Sequence, residues 1–559
     1  MRQVAKMNKI TNNNQVIFVG VMSVLVTISF TPFWNEDSLI IPKLILLFTS
    51  ALYILPQVFF ELTKIKEAKN SYFLKISYAI TFIMLIQILL VLVFTSSPFE
   101  QQFYGGFGRG LGIATEISLL IYFLIIAKNI TANGITFIIY ALVISCFISS
   151  IYSILQFFGL DFYEWQSQTN GIIGTLGNPN FQSSFAAMAL VPVLSLFNLV
   201  RVNRIIVFSL CTIFVFTIYI CRSTQGYIAA LISVGTYSLI YFWYKRKVVF
   251  VFLLSVMFFS LITIIMGMTN HGPLANLLYK YSVKSRGEML RNSIRLIKDH
   301  LIFGVGFDSL GDYYLKYKDL KTSLGVNEFT DHAHNLYVNY AAVAGVPYAF
   351  LHLILAVLVL FAFINILRFE SRFNARISSL FCAWVCFQAQ ALISPSNITM
   401  LVWNFVISGV LVGIAADNRN AHQVRDYQKI KTKLNLSLIS WPLLILALTI
   451  MVPYFNVDKK SQDALSIGSA ELAMKASNEY PRSVKRFSRL TEGLLKSNLP
   501  KEALDVARRT IEFNPQNPSG WGFILVNPVA PKSERIEAQQ VLMKLDPQNE
   551  TIKNFKIPE

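Results

Sequence analysis

The stretch 248–268 is an unbroken apolar run without one charged side chain, and 16–31 is another. Runs near ~20 residues match the ~30 Å hydrocarbon core of a bilayer. In lipid every backbone polar group must be satisfied within the segment, so such a run folds as a helix. A chain built from many of them is therefore confined to one class, an all-α polytopic membrane protein. Composition agrees: 54% of the 559 residues are hydrophobic and 14% are charged, against roughly 25% charged in soluble domains. Buried core helices of a soluble protein would have to supply many such runs in one molecule.

About 12–13 transmembrane helices are expected, at roughly 16–34, 39–60, 72–95, 110–127, 135–159, 181–200, 205–221, 226–244, 248–268, 335–366, 377–394, 397–416 and 436–455. Arg2, Lys6 and Lys9 precede the first run, which has no small-x-small cleavage site and reads as a retained signal anchor. Alternate connections differ in charge. One set holds Arg2/Lys6/Lys9, Lys64/Lys66/Lys69, Lys128, Arg201/Arg204, Lys245/Arg246/Lys247, Arg368/Arg372/Arg376 and Arg419/Arg425/Lys429/Lys431/Lys433. The short loops of the other set hold little beyond Arg109 and Arg222. The positive-inside rule makes the first set cytoplasmic, in the cytoplasmic (inner) membrane. An odd number of spans then puts the C-terminal domain outside, beside a long extracytoplasmic loop at 269–334. The net charge of +18 is thus spent on orientation beside membrane lipids, and no nucleic-acid partner is expected.

Two domains follow, a transmembrane domain at 1–455 and an extracytoplasmic helical domain at 456–559. In the second, Tyr480-Pro481, Asn514-Pro515 and Asp546-Pro547 each follow a helical stretch, with prolines 34 and 32 residues apart. The tetratricopeptide period is ~34 residues, and stacked helix pairs of that kind offer a concave face to a protein partner. The repeats are degenerate, since Arg535 stands where Ala503 stands one repeat earlier; a plain helical bundle is the alternative.

In the long loop, Leu290, Ile294, Ile297 and Leu301 recur at helical spacing while Arg291, Arg295 and Lys298 fall on other faces. This amphipathic helix either lies on the outer leaflet or packs on the spans. Phe303-Gly304-Val305-Gly306-Phe307-Asp308 then turns the chain back towards the membrane.

Three arginines stand on the side where positive charge is not wanted: Arg109 in Phe107-Gly108-Arg109-Gly110, Arg222 in Cys221-Arg222-Ser223-Thr224, and Arg286 in Ser285-Arg286-Gly287-Glu288. Arginine near lipid is costly without an anion. Headgroup snorkelling or structural ion pairs, such as Arg109 with Glu116, explain any one of them. Three around one surface point to an anionic substrate, and guanidinium forks suit a diphosphate. His332 and His334 stand together in Asp331-His332-Ala333-His334-Asn335. Their spacing suits a metal ion too, but no third ligand of matching kind is at hand, so no metal is expected. A single general base near neutral pH is the other reading. In Gly177-Asn178-Pro179-Asn180, Asn180 suits a helix N-cap, and Asn178 either shares that turn or lines a sugar-binding cleft. Asp308, Asp161 and Glu164 read as carboxylates that bind solvent or basic neighbours. The five cysteines all fall in or at the ends of apolar spans, and Cys382 and Cys386, one turn apart, read as buried thiols.

The stretch from Arg286 through Phe303-Gly304-Val305-Gly306 to His334-Asn335 resembles the O-antigen ligase and O-antigen polymerase superfamily of bacterial membrane glycosyltransferases. Those ligases carry His-Asn (or Ser or Gln), nine residues, then Gly-x-x-(Gly, Thr or Tyr). Here His334-Asn335 is followed by nine residues and Gly345-Val346-Pro347-Tyr348. The resemblance covers roughly residues 90–416. Arg222 and Arg286 resemble the family's outer-face arginines, and Arg109 does so less closely. The thirteenth span and the tail exceed the minimal ligase plan. The resemblance implies transfer of a glycan from an undecaprenyl-diphosphate-linked donor to an acceptor hydroxyl on a glycan, lipid or protein. It implies inversion at the anomeric centre. Arg222, Arg286 and Arg109 would hold the diphosphate, and His334 would be the base. His332, Asn335, Asn178 and Asn180 would support the site, with no cofactor. A polymerase, a protein O-oligosaccharyltransferase and a flippase for the same lipid are the rival readings.

Overall fold

The computed structural model describes residues 2–63, 71–165, 171–198, 202–319, 329–417 and 437–557. All regular structure among them is helical. Thirteen helices lie at the thirteen expected spans, from Arg2–Ile28 and Ile41–Thr63 to Ile398–Asp417 and Ser437–Ile467. Eight are long and apolar enough to cross a bilayer, and Asn14–Ile28 and Arg204–Ile220 are shorter apolar helices. The remaining three, Ile113–Asn129, Pro179–Ser195 and Ala375–Ala391, have 17 residues each, or about 25 Å of helix. The chain is an all-α, multi-pass membrane protein.

Ile398–Asp417 stands at the centre, with 94% of its apolar window buried. Gly409 and Gly413 put its backbone against Ile113–Asn129: a Cβ on either would run into the carbonyl oxygen of Phe123 or Ala127. Small residues four apart allow this approach, because packing contacts, not water exclusion, hold helices together in lipid. Lys247–Met268 is the opposite case, with none of its window buried. Lys43 is enclosed in the bundle, where its ammonium donates to the carbonyls of Thr27 (2.9 Å) and Thr175 (2.8 Å) and to Thr399 Oγ1 (3.4 Å). All three of its donors are thereby used, which makes a buried lysine tolerable.

The two ends of the bundle differ as the charge pattern requires. At one end Arg376 donates to Thr136 Oγ1 (2.8 Å), and Tyr244 donates to the carbonyls of Leu367 and Glu370. This gathers the turns that carry Lys128, Lys245–Lys247 and Arg368–Arg376. Lys64, Lys66, Lys69, Arg201 and the basic residues at 419–433 lie outside the described residues. At the other end sit the loops bearing Arg109, Arg222, Arg286 and His334.

Three local features depart from the expected outline. The Leu336–Phe369 helix is broken at Gly345, where φ is 85° and ψ is 161°. The Ser437–Ile467 helix runs unbroken past residue 455, so the tail joins the bundle through a continuous helix and not a linker. The Tyr281–Asp299 helix buries its polar face, Ser285, Glu288, Asn292 and Ser293, and leaves Ile294 exposed. Leu296 is buried with them, and Met289 and Ile297 pack against the bundle core, so the helix lies on the spans with Ile294 turned outward.

The tail stacks Val484–Lys496 on Pro500–Phe513 and Pro518–Val526 on Lys532–Leu545. Phe487, Leu490, Leu494, Ala503 and Val506 fill one small core; Ala507, Trp521, Ile524, Ala538 and Leu542 fill the next. Arg535 is buried where a small residue was expected, and its Nε donates to the Leu525 carbonyl at 3.0 Å. The tail is tied to the bundle by carboxylates. Glu100 pairs with Arg482 at 3.1 Å, Glu36 pairs with Arg489, and Asp312 accepts from Asn514 (3.0 Å) and Asn517 (2.6 Å).

Candidate active site

The loop 105–112 carries Arg109, and glycine lets it turn tightly enough to be held from both sides. Asp37 accepts from the Gly108 amide at 2.7 Å, and Asp308 accepts from the amides of Gly106 (2.7 Å) and Leu111 (3.1 Å). Burial pushes the Asp308 carboxyl up to about 6 and the Asp37 carboxyl up to about 8. So fixed, Arg109 makes a bidentate pair with Asp331, at 3.1 Å through Nε and 3.0 Å through Nη2. Burial works against both charges, but each partner holds the other ionised: Arg109 is raised and Asp331 lowered. The expected partner Glu116 is engaged elsewhere, accepting from Tyr340 (2.9 Å) and Tyr348 (3.0 Å) inside the bundle.

His334 stands at the entrance of the Leu336–Phe369 helix with φ at 53°. Its amide donates to His332 Nδ1 at 3.1 Å, while Asn335 caps the helix by accepting from the Val338 amide (3.1 Å) and donates to the Leu392 carbonyl (3.0 Å). His332 is fully buried, and its own carbonyl and amide both bond Thr330 Oγ1. His332 and Asn335 thus fix the backbone on either side of His334. Burial, then the charges of Arg286 and Arg109, lower the His334 imidazole to about 4. The ring is neutral at pH 7, and its Nδ1 is buried without a hydrogen-bond partner. A neutral imidazole is the form that accepts a proton.

The glycine of the His-Asn motif acts through the backbone. At Gly345 the chain leaves helical geometry, and Val346 N–H donates to the Leu301 carbonyl at 2.8 Å. Val305 and Gly306 donate to the carbonyls of Ala342 and Val343, both at 2.9 Å, and Gln87 Nε2 bonds the carbonyls of Ile302 (2.7 Å) and Ala344 (3.0 Å). The Phe303–Asp308 turn is thereby clasped to the helix that presents His334, and Asp308 reaches the Arg109 loop. Sequence reading identified the motif but not this clasp, because which carbonyls meet across 40 residues is set by packing.

Arg286 lies on the other side of His334. Its guanidinium faces Gln225, whose amide oxygen, in the orientation that satisfies both groups, accepts at 2.5 and 3.2 Å. Burial pulls the Arg286 pKa down, and a neutral amide does not offset the charge. Arg222, in the turn before Gln225, is exposed, with φ at 50° and no side-chain partner among the described residues. Of the three arginines, then, Arg109 is already paired with Asp331, whereas Arg222 and Arg286 have no carboxylate partner among the described residues. Arg222, His334 and Asp308 all hold left-handed backbone, a strain of ~1–3 kcal/mol each that persists at functional sites. Gln225 was missed by sequence reading, although its place one turn after Arg222 was the available signal.

Asn178, not Asn180, caps the Pro179–Ser195 helix, accepting from the Asn180 amide at 2.8 Å with Pro179 at the first helical position. Asn180 instead accepts from Ser223 Oγ at 2.7 Å, which links this turn to the Arg222 turn. Asn178 also lines a cavity of about 210 Å³ with Asp37, Arg109 and Asn397. Across Arg109 lies a larger cavity of about 530 Å³, bounded by Asp331 and His334 on the bundle and by the tail opposite. Among the described residues no cluster of three or more His, Cys, Asp or Glu suits a metal ion.

Residues 205–353 match the family model described as O-Antigen ligase. This segment is an O-antigen ligase domain of the ligase and polymerase superfamily, and it supports a function of that broad glycosyltransferase type. It takes in Arg222, Gln225, Arg286, Asp308, His334 and Gly345, and leaves out Arg109, Asn178 and the tail. Comparison with curated proteins gives no match.

Proposed function

We propose that this chain, with an O-antigen ligase domain at 205–353, transfers a glycan from an undecaprenyl-diphosphate carrier to an acceptor hydroxyl at the extracytoplasmic face of the cytoplasmic membrane. One observation carries the reading: a neutral His334, with Nδ1 unpartnered, lines a cavity within the field of two arginines. In the reaction the acceptor oxygen bonds to the anomeric carbon opposite the diphosphate. The carbon–oxygen bond to the diphosphate breaks, and its electron pair leaves with the phosphate. The hydroxyl proton passes to His334. Arg286 and Arg222 stabilise the charge that grows on the leaving group, so fixed cations supply the electrostatic term. A single displacement inverts the anomeric centre.

A carrier of the same lipid is the second reading, favoured by the broken helix at Gly345 and by buried Glu116 and His352, 3.7 Å apart. Discontinuous helices and intramembrane charge are carrier traits. Yet the cavity beside His352 is only about 20 Å³, room for about one water molecule. Purified protein incubated with lipid-linked glycan and candidate acceptors should yield a product whose mass equals acceptor plus glycan. Movement of labelled lipid across proteoliposomes with no glycosidic product would establish the carrier instead.

Arg286→Ala and Arg222→Ala should each weaken donor binding about ten- to a hundredfold, the loss of a charge-assisted contact, with lysine rescuing partly because it lacks the fork. Arg109→Ala should behave differently. Removing it leaves Asp331 unopposed beside His334, so the acid limb of the pH profile should move to higher pH. Parental donor affinity in both of the first two variants would remove those arginines from the site. Orientation has its own test. A cysteine placed at the exposed Ser533 should react with an impermeant thiol reagent in intact cells or spheroplasts. Labelling only after lysis would put the tail in the cytoplasm.

A further inference from the structure

The Val484–Lys496 helix has two faces. Phe487, Leu490 and Leu494 enter the tail's own core, while Lys485, Ser488 and Glu492 line the larger cavity opposite His334. Spacings of three and four residues set these three on one stripe. Ser488 is 6% exposed, yet its Oγ has no hydrogen-bond partner. His334 Nδ1, across the same space, is in the same state. A buried polar atom without a partner is costly, and both of these belong to residues that line one cavity.

We propose that this cavity is the acceptor subsite, that its occupant is a saccharide, and that the tail supplies the wall that selects it. The proposal rests on the transferase reading above. About 530 Å³ lies within the ~300–1,000 Å³ usual for small-ligand sites. The lining mixes carboxylates, cations and hydroxyls with the rings of Phe329 and Phe523, and Phe329 is 53% exposed. Adjacent sugar hydroxyls are matched by such paired donors and acceptors, and the apolar face of a sugar ring stacks on an aromatic side chain. A diphosphate would meet Lys485 here, but Arg109 and Arg482 are already paired with Asp331 and Glu100, and Asp308, Asp312 and Glu492 add further negative charge; Arg222 and Arg286 lie outside this lining. Because the family match ends at residue 353, the proposal separates the two halves of the reaction. The ligase domain handles the leaving group, and the tail chooses the nucleophile.

The test uses full-length protein in detergent. Its soluble probe is the lipid-free glycan released by mild acid from the source cell's lipid-linked pool. Inorganic pyrophosphate is the second probe. Ser488→Ala, Glu492→Gln and Lys485→Met replace cavity-facing groups without touching the tail's core, and an unchanged melting temperature certifies each fold. At least two of the three should bind the glycan tenfold or more weakly and raise the acceptor KM to match, with pyrophosphate affinity unmoved. Parental glycan affinity in all three would overturn the proposal. So would a loss that falls on pyrophosphate, which would make the cavity a donor site, or a parent that transfers to peptide while failing to bind the glycan. If the parent binds the glycan through these residues but forms no glycosidic bond, the transferase reading fails and the saccharide site stands.

Discussion

His334→Ala is expected to lose transfer by about 10²–10⁴-fold, the usual contribution of a positioned general base, while keeping donor affinity. The separation follows from geometry: the cations that would hold the diphosphate, Arg222 and Arg286, sit on other elements. The pH profile of the parent carries the sign. Burial and two guanidinium neighbours disfavour the imidazolium, so the free enzyme keeps His334 neutral down to about 4. kcat/KM, which reports the free enzyme, should therefore fall as pH drops through about 4 and not through the usual ~6.5. A bound diphosphate adds negative charge beside the ring and offsets Arg286, so the limb in kcat should lie higher. His332→Ala should lower activity less, by removing the contact that fixes its neighbour's backbone amide. Parental turnover in folded His334→Ala would defeat the base assignment, and Asp331 would be tested next.

Gly345→Ala is expected to damage the fold and the site together. At φ 85° and ψ 161° the backbone is in a region open essentially to glycine alone, at ~1–3 kcal/mol for other residues. A Cβ there would also fall on the Ile302 carbonyl, a backbone atom that cannot step aside. Relief requires parting the 301–306 turn from the helix. That frees Asp308 from the Arg109 loop and lets the His334 segment drift. Unfolding of the purified variant should show a marked loss of stability, and transfer should fall with it. Gly522→Ala is the matched control. That glycine lies inside a helix with nothing within 4 Å of an added Cβ, so alanine there should be neutral or stabilising by up to ~1 kcal/mol. Parental stability and turnover in Gly345→Ala would mean that the clasp does not hold the site.

Apolar runs and charge placement determined the helical class and the approximate position of every bundle helix, because lipid leaves an apolar segment no other way to satisfy its backbone. They also divided basic turns from the turns bearing Arg109, Arg222, Arg286 and His334, a division that the packing respects. The His334-to-Gly345 spacing was legible too, as a pattern. Its physical content was not, since a break in a helix depends on the carbonyl that arrives from residue 302. The state of each arginine also lay beyond local sequence. Arg109 is paired with Asp331, 222 residues away, whereas among the described residues Arg286 meets an amide, and nothing near either residue in the chain distinguishes them. Even the amphipathic 281–299 helix could be placed but not oriented, because which face is buried depends on whether protein or lipid waits on each side. What the sequence determined by itself was what a bilayer demands of any segment, one span at a time. Which charges meet, which stay free and what the tail encloses were decided by tertiary structure, because those are energies of pairs that come together only when the spans pack.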